Sequence, residues 1–121
     1  MSTRAEQLRE LTQILLEDLW SGGDLALTDL LFGDDLVHHM APPDLVPGAA
    51  GQRQFLTQMR QRLPDMRTTI EDLLIDGDRV AVRWTRTATG PSGALIRLTG
   101  ADILRFDGDK IVEIWAFQPQ E

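Results

Sequence analysis

Cysteine is absent from this 121-residue chain. The chain therefore has no disulfide, no thiolate metal site and no cysteine nucleophile, and the redox compartment is left open. Nor is a staple required, because a chain of this length buries roughly two-thirds of its unfolded surface. Residues 1–121 accordingly read as a single domain, with no internal repeat, low-complexity stretch or linker. No apolar run approaches the ~20 residues of a membrane span. The opening Met1-Ser2-Thr3-Arg4-Ala5-Glu6 lacks the basic-then-apolar order of a secretion signal. The expected setting is cytoplasmic, with no membrane contact.

Positive charge is in short supply: 12 basic residues face 19 acidic ones, for a formal net charge of −7. A protein that grips phosphate backbones needs a basic face, so nucleic acid is not the expected partner. Arg53, Arg60, Arg62 and Arg67 do cluster. They interleave with Phe55, Leu56, Met59 and Leu63, and read as the solvated side of a helix. A neutral or weakly polar, mostly apolar small molecule suits this composition better.

Histidine occurs only twice, as the neighbours His38 and His39. On an extended segment adjacent side chains point to opposite faces, so the two cannot chelate one metal together. No metal site is expected, and alternation alone leaves open which histidine faces inward.

The apolar residues fall into two regimes. Leu8, Leu11, Leu15 and Leu19 recur at helical spacing, with Ser2 or Thr3 as cap and Gly22-Gly23 as stop. Asp24 reads as the cap of a short second helix running through Phe32 and stopped by Gly33. A brief extended piece over 36–40 follows, then a proline-rich loop over 41–50 and a third helix over 51–63. Beyond Met66 the period becomes two, predicting strands over about 66–76, 79–89, 94–107 and 109–118. Asp76-Gly77-Asp78 and Asp107-Gly108-Asp109 mark two of the hairpin turns. Helices followed by an antiparallel meander predict an α+β fold, with helices covering one face of a four-stranded sheet that gains one short strand.

Strand parity identifies the candidate chemistry. Ala94, Ile96, Leu98, Gly100, Asp102, Leu104 and Phe106 share one face of their strand, and Asp102 is its only polar member. Burial would raise the pKa of such a carboxyl towards the range of a general acid or base. The structural alternative is an aspartate that satisfies a backbone amide or an arginine. Trp84 falls on the same face and can line a pocket for flat apolar ligands, whereas Trp20 reads as core packing. Arg83 has the opposite parity and reads as surface. Glu113 faces Asp102 only if the last hairpin has the tighter of two turns. Hydrophobic matching favours the longer one, setting Leu104 against Val112 and Asp102 against Ile114, and leaving Glu113 outside. The first hairpin then pairs Leu74 with Val80 and Ile70 with Trp84.

Taken in order, several segments resemble the SnoaL-like polyketide cyclase family. They are Trp20-Ser21-Gly22-Gly23-Asp24, Val37-His38-His39, Leu63-Pro64-Asp65-Met66-Arg67, the run from Asp76 to Trp84, Pro91-Ser92-Gly93, and the closing stretch from Asp102 to Trp115. That family belongs to the nuclear transport factor 2-like superfamily. The resemblance implies a cone of helices against a strongly curved sheet, a pocket inside the cone, and a homodimer built on the sheet. It implies intramolecular ring closure without cofactor or metal, with Asp102 as proton carrier and His39 as pocket histidine. Trp84, Trp115, Phe32, Phe55, Met59 and Leu104 are the expected substrate-lining residues. The chain departs from the family at Thr85-Arg86-Thr87-Ala88-Thr89-Gly90-Pro91, where members carry a longer stretch with an assisting histidine. The alternatives kept open are a non-catalytic binding module of the same fold and an epoxide-opening enzyme, which uses two acids or two acids and an arginine.

Overall fold

The computed structural model of the protein describes residues 3–40 and 44–118. Thr3 caps helix α1 (Arg4–Gln13), its side chain accepting from the Glu6 N–H; Ser2, the other candidate cap, and the Pro42-Pro43 part of the expected loop lie outside the described residues. The first helix was expected to continue regularly to Gly22. Instead, Ile14–Ser21 winds as a π-helix. The wider turn has a packing consequence: Leu15 and Trp20, five residues apart, both line the internal cavity described below, while Leu16 and Leu19 stay in the core. In a regular α-helix residues five apart diverge by about 140°, so one of the two would have faced away. Gly23, at φ 72°, then breaks the helix.

Helix α2 covers only Leu27–Leu31, because Phe32 and Gly33 open strand β1 (Phe32–His38) rather than closing the helix. Helix α3 (Gly48–Arg62) begins earlier than expected and takes in the glycine-alanine run before Gln52. Strands β2 (Arg67–Asp76), β3 (Arg79–Thr89), β4 (Leu95–Asp107) and β5 (Lys110–Phe117) follow their predicted spans closely. The sheet has five strands in the order β1-β5-β4-β3-β2. It is not wholly antiparallel, since β1 runs parallel to β5. The architecture is α+β, with N-terminal helices against a curved five-stranded sheet. Among the described residues, no helix is long and apolar enough to cross a membrane.

Two bulges correct the expected registers. On β5 the turn pairs Asp107 with Lys110 and Phe106 with Ile111, after which one extra residue shifts the ladder. Leu104 therefore faces Ile114 and Asp102 faces Ala116, instead of Val112 and Ile114. The bulge reverses parity, which lets Ile111 and Ile114 both reach the core. On β2 the ladder slips between Ile70 and Asp72, so Ile70 meets Trp84 as expected but Ile75, not Leu74, meets Val80. Leu74 is left 71% exposed.

Arg60, expected on a solvated helix side, is instead a half-buried staple. Its guanidinium donates to the carbonyls of Trp20 at 3.2 Å, Ser21 at 2.9 Å and Pro64 at 3.1 Å. The first two contacts satisfy carbonyls at the free end of the π-helix, and the third holds the chain just after α3. Arg53 does face solvent and pairs with Asp29 at 2.5 Å.

Candidate active site

Between the helices and the inner face of the sheet lies a cavity of about 620 Å³. Phe32, Phe55, Met59, Trp84 and Leu104 line it, as does the carboxyl-bearing Asp102. Trp20 contributes too, meeting Phe55 edge-on with ring centroids 5.9 Å apart. Gly100, opposite Trp84 in the ladder, leaves the indole its space: a Cβ there would stand 2.5 Å from Trp84 Cζ2.

Asp102 is only 8% exposed. Burial pushes its carboxyl above the ordinary aspartate range, and the positive charge of Arg86 partly opposes that shift. The Trp84 indole N–H lies near enough to favour the ionised carboxylate, yet has no partner of full hydrogen-bond geometry among the described residues.

Arg86 is the principal residue that sequence reasoning missed. Its guanidinium is sandwiched between two indoles, 3.8 Å from the Trp84 ring centroid and 3.9 Å from that of Trp20. Its Nε–H donates to Thr68 Oγ1 at 3.2 Å. Desolvation pulls its pKa down to about 10, against the opposing pull of Asp102, so the group remains cationic at neutral pH. The available signal was parity: the alternation that turns Val80, Val82 and Trp84 inward continues to Arg86.

The histidines are reversed relative to the resemblance. His38 lines the cavity, while His39 stacks on Trp115 with centroids 4.8 Å apart and bonds Glu113 at 2.7 Å. Neither His39 nor Trp115 is part of the cavity wall, because the β1 register and the β5 bulge turn both to the outer face of the sheet. Glu113 is outside as expected, held by Arg105 at 2.8 Å. The Arg105 and His39 hydrogen bonds keep its carboxyl below the ordinary range. Burial lowers the pKa of His38. Its Nδ1 accepts the Met40 backbone N–H at 3.1 Å, which assigns the proton of the neutral ring to Nε2.

N-terminal helices against a curved sheet, enclosing a cavity between them, define a fold of the nuclear transport factor 2-like type. Residues 10–118 match the SnoaL-like polyketide cyclase family, and the chain belongs to it. Solved structures agree in fold. A SnoaL-like polyketide cyclase from Agrobacterium tumefaciens aligns with TM-score 0.81 and 20% identity, over 99% of this chain and 94% of its own. TsrD from Streptomyces laurentii aligns with TM-score 0.84 and 20% identity, over 98% of this chain and 91% of its own. A proposed polyketide cyclase from Acidithiobacillus ferrooxidans gives TM-score 0.83 and 23% identity, over 98% and 92%. None of the curated proteins matches the sequence significantly.

Proposed function

We propose that the protein is a cofactor-independent acid–base cyclase that closes a ring within a polyketide-like small molecule, with Asp102 as the proton carrier. The observation that carries this reading is a buried carboxyl with a raised pKa, set in the wall of an otherwise largely apolar cavity. Such a group is basic enough to remove a proton alpha to a carbonyl and acidic enough to return it. The resulting enolate carbon attacks a second carbonyl of the same molecule. One C–C bond forms, and the new alkoxide takes the proton held by Asp102, so the carboxylate base is regenerated. His38, neutral and carrying its proton on Nε2, donates a hydrogen bond to the developing oxyanion. It takes the place in this scheme that the family resemblance gave to His39.

Family membership supports the cyclase class. The outer sheet face carries the His39–Trp115 stack with Arg79 over it, and a homodimer through that face is the assembly we infer. Sedimentation of the protein and of Trp115→Glu tests it, a monomeric wild type being the contrary result.

The catalytic reading is tested by titrating the Asp102 carboxyl by carbon-detected NMR and by assaying cyclisable diketones. Asp102→Asn should keep the fold and ligand binding while turnover falls about 10²–10⁴-fold, the usual share of a general acid–base group. Unchanged turnover in that variant, or a wild-type pKa at or below the ~3.9 of a free aspartate, would sink the assignment.

A further inference from the structure

The cavity was expected to take an apolar ligand, yet it encloses a full positive charge. Arg86 is 8% exposed, lines the cavity, and spends only its Nε–H on a protein acceptor, Thr68 Oγ1. Among the described residues, no carboxylate oxygen lies within ion-pair distance of it, and its terminal nitrogens have no acceptor. Arg86 itself is part of the cavity wall, so these nitrogens are the hydrogen-bonding capacity it can offer to a ligand. Burying an uncompensated cation is costly. The two indole faces offset part of that cost, and they also fix the plane of the guanidinium fork.

We propose that Arg86 is a ligand-recognition group and that the substrate is a carboxylate on a flat, otherwise apolar skeleton. Three features point to this chemistry. A planar fork held rigid between two rings matches the two coplanar oxygens of a carboxylate and forms parallel N–H···O bonds. A single cation in a cavity otherwise walled largely by Leu, Phe, Met and Trp fits a monoanion better than a doubly charged phosphate. The aromatic lining, which includes Phe32 and Phe55 as well as the two indoles, favours a flat ring system. Asp102 is close enough to feel Arg86 but is not bonded to it, so the fork stays available to the ligand while the carboxyl keeps its proton-transfer role. The proposal rests on the cavity being the substrate site.

The test compares 2-naphthoate with its neutral isostere 2-naphthamide, followed by the indole N–H NMR signals of the intact protein. Trp20 and Trp84 report the cavity, and Trp115, on the outer face, is the internal control. The expected result is at least tenfold tighter binding of the naphthoate, with the Trp20 and Trp84 signals moving and Trp115 fixed. Arg86→Gln should bring the two probes within twofold of each other. The wild type supplies a second measurement should that variant fail to fold. The Arg86 Nε–H resonance, displaced by the ring currents of two indoles, should shift with naphthoate and not with naphthamide. Equal binding of both probes to the wild type overturns the carboxylate assignment and leaves the cavity reading standing. Binding of neither up to millimolar concentration overturns both.

Discussion

The guanidinium of Arg86 lies over the Trp84 ring, 3.8 Å from its centroid, and feels the buried Asp102 carboxyl without forming an ion pair with it. That separation decides the chemistry of the cavity. A direct Arg–Asp contact would hold the carboxylate ionised and far below its ordinary pKa. With the cation carried instead by two indole faces, desolvation remains the largest influence on Asp102, and its pKa rises. An acid able to exchange its proton and a cation able to receive an anion thus coexist in one small space.

The raised pKa makes a stability prediction whose sign is fixed. The folded state binds the Asp102 proton more tightly than the unfolded chain does, so protonation favours folding. This contribution is fully present below the unfolded value of ~3.9 and is lost as pH rises through the higher folded value. Asn at this position is uncharged throughout. The melting temperature of Asp102→Asn relative to wild type should therefore climb as pH rises above ~3.9 and level off once the pH passes the folded value. A flat difference would mean that the carboxyl is solvated in the folded protein.

The adjacent histidines should separate cleanly in function. His38→Gln alters the cavity wall and should lower kcat/KM for a cyclisable substrate about tenfold or more. His39→Gln and Trp115→Phe alter the outer-face cluster with Glu113, away from the cavity wall. Both should leave kcat/KM within about twofold, because neither side chain is part of the cavity wall. Steady-state kinetics on the three variants checks this, and a reversed order would return the catalytic role to His39.

Strand positions were legible because β3 and β4 alternate without interruption, so parity alone put Trp84, Asp102 and Leu104 on the inner face. The same count would have found Arg86, but charge led attention away from it: an arginine is read as surface unless its neighbours say otherwise. Trp115 and the registers failed for a different reason. A bulge between Arg105 and Phe106 reverses parity along β5, and no local residue pattern announces it. The parallel pairing of β1 with β5 is a long-range contact that fixes which histidine turns inward. The π-helical turn was hidden because both helix types satisfy the same leucine spacing to within a residue.

Ser21 joins the end of the π-helix to the start of β2. Its hydroxyl accepts the Thr68 N–H at 2.7 Å and faces the carbonyls of Thr68 and Leu16, each at 3.1 Å. Thr68 in turn holds the Arg86 Nε–H. Ser21→Ala leaves a partly buried amide without its acceptor, at a cost of about 1–3 kcal/mol. Urea denaturation should show that loss, and the Arg86 Nε–H signal should broaden as its support loosens. An unchanged midpoint would show that water replaces the hydroxyl at no cost.

Gly100 is where the sheet makes room for the sandwich, and a single methyl group tests that relationship. A Cβ there would stand 2.5 Å from Trp84 Cζ2, 2.6 Å from Trp84 Cη2 and 2.6 Å from the Phe117 carbonyl oxygen. Contacts that short cannot persist, and the Phe117 oxygen belongs to the backbone of the neighbouring strand. The indole must therefore tilt into the cavity, or β5 must move outward. Tilting the indole disturbs the stacked Arg86, because Trp84 is one of its two faces. Gly100→Ala should lower stability by about 1–3 kcal/mol, as overpacking does elsewhere. It should also weaken naphthoate binding more than Ser21→Ala does, since the added methyl group acts on the cavity wall itself. Urea midpoints together with the naphthoate titration separate the two effects. Destabilisation with unchanged naphthoate affinity would show that the strand yields and the Trp84–Arg86 pair does not.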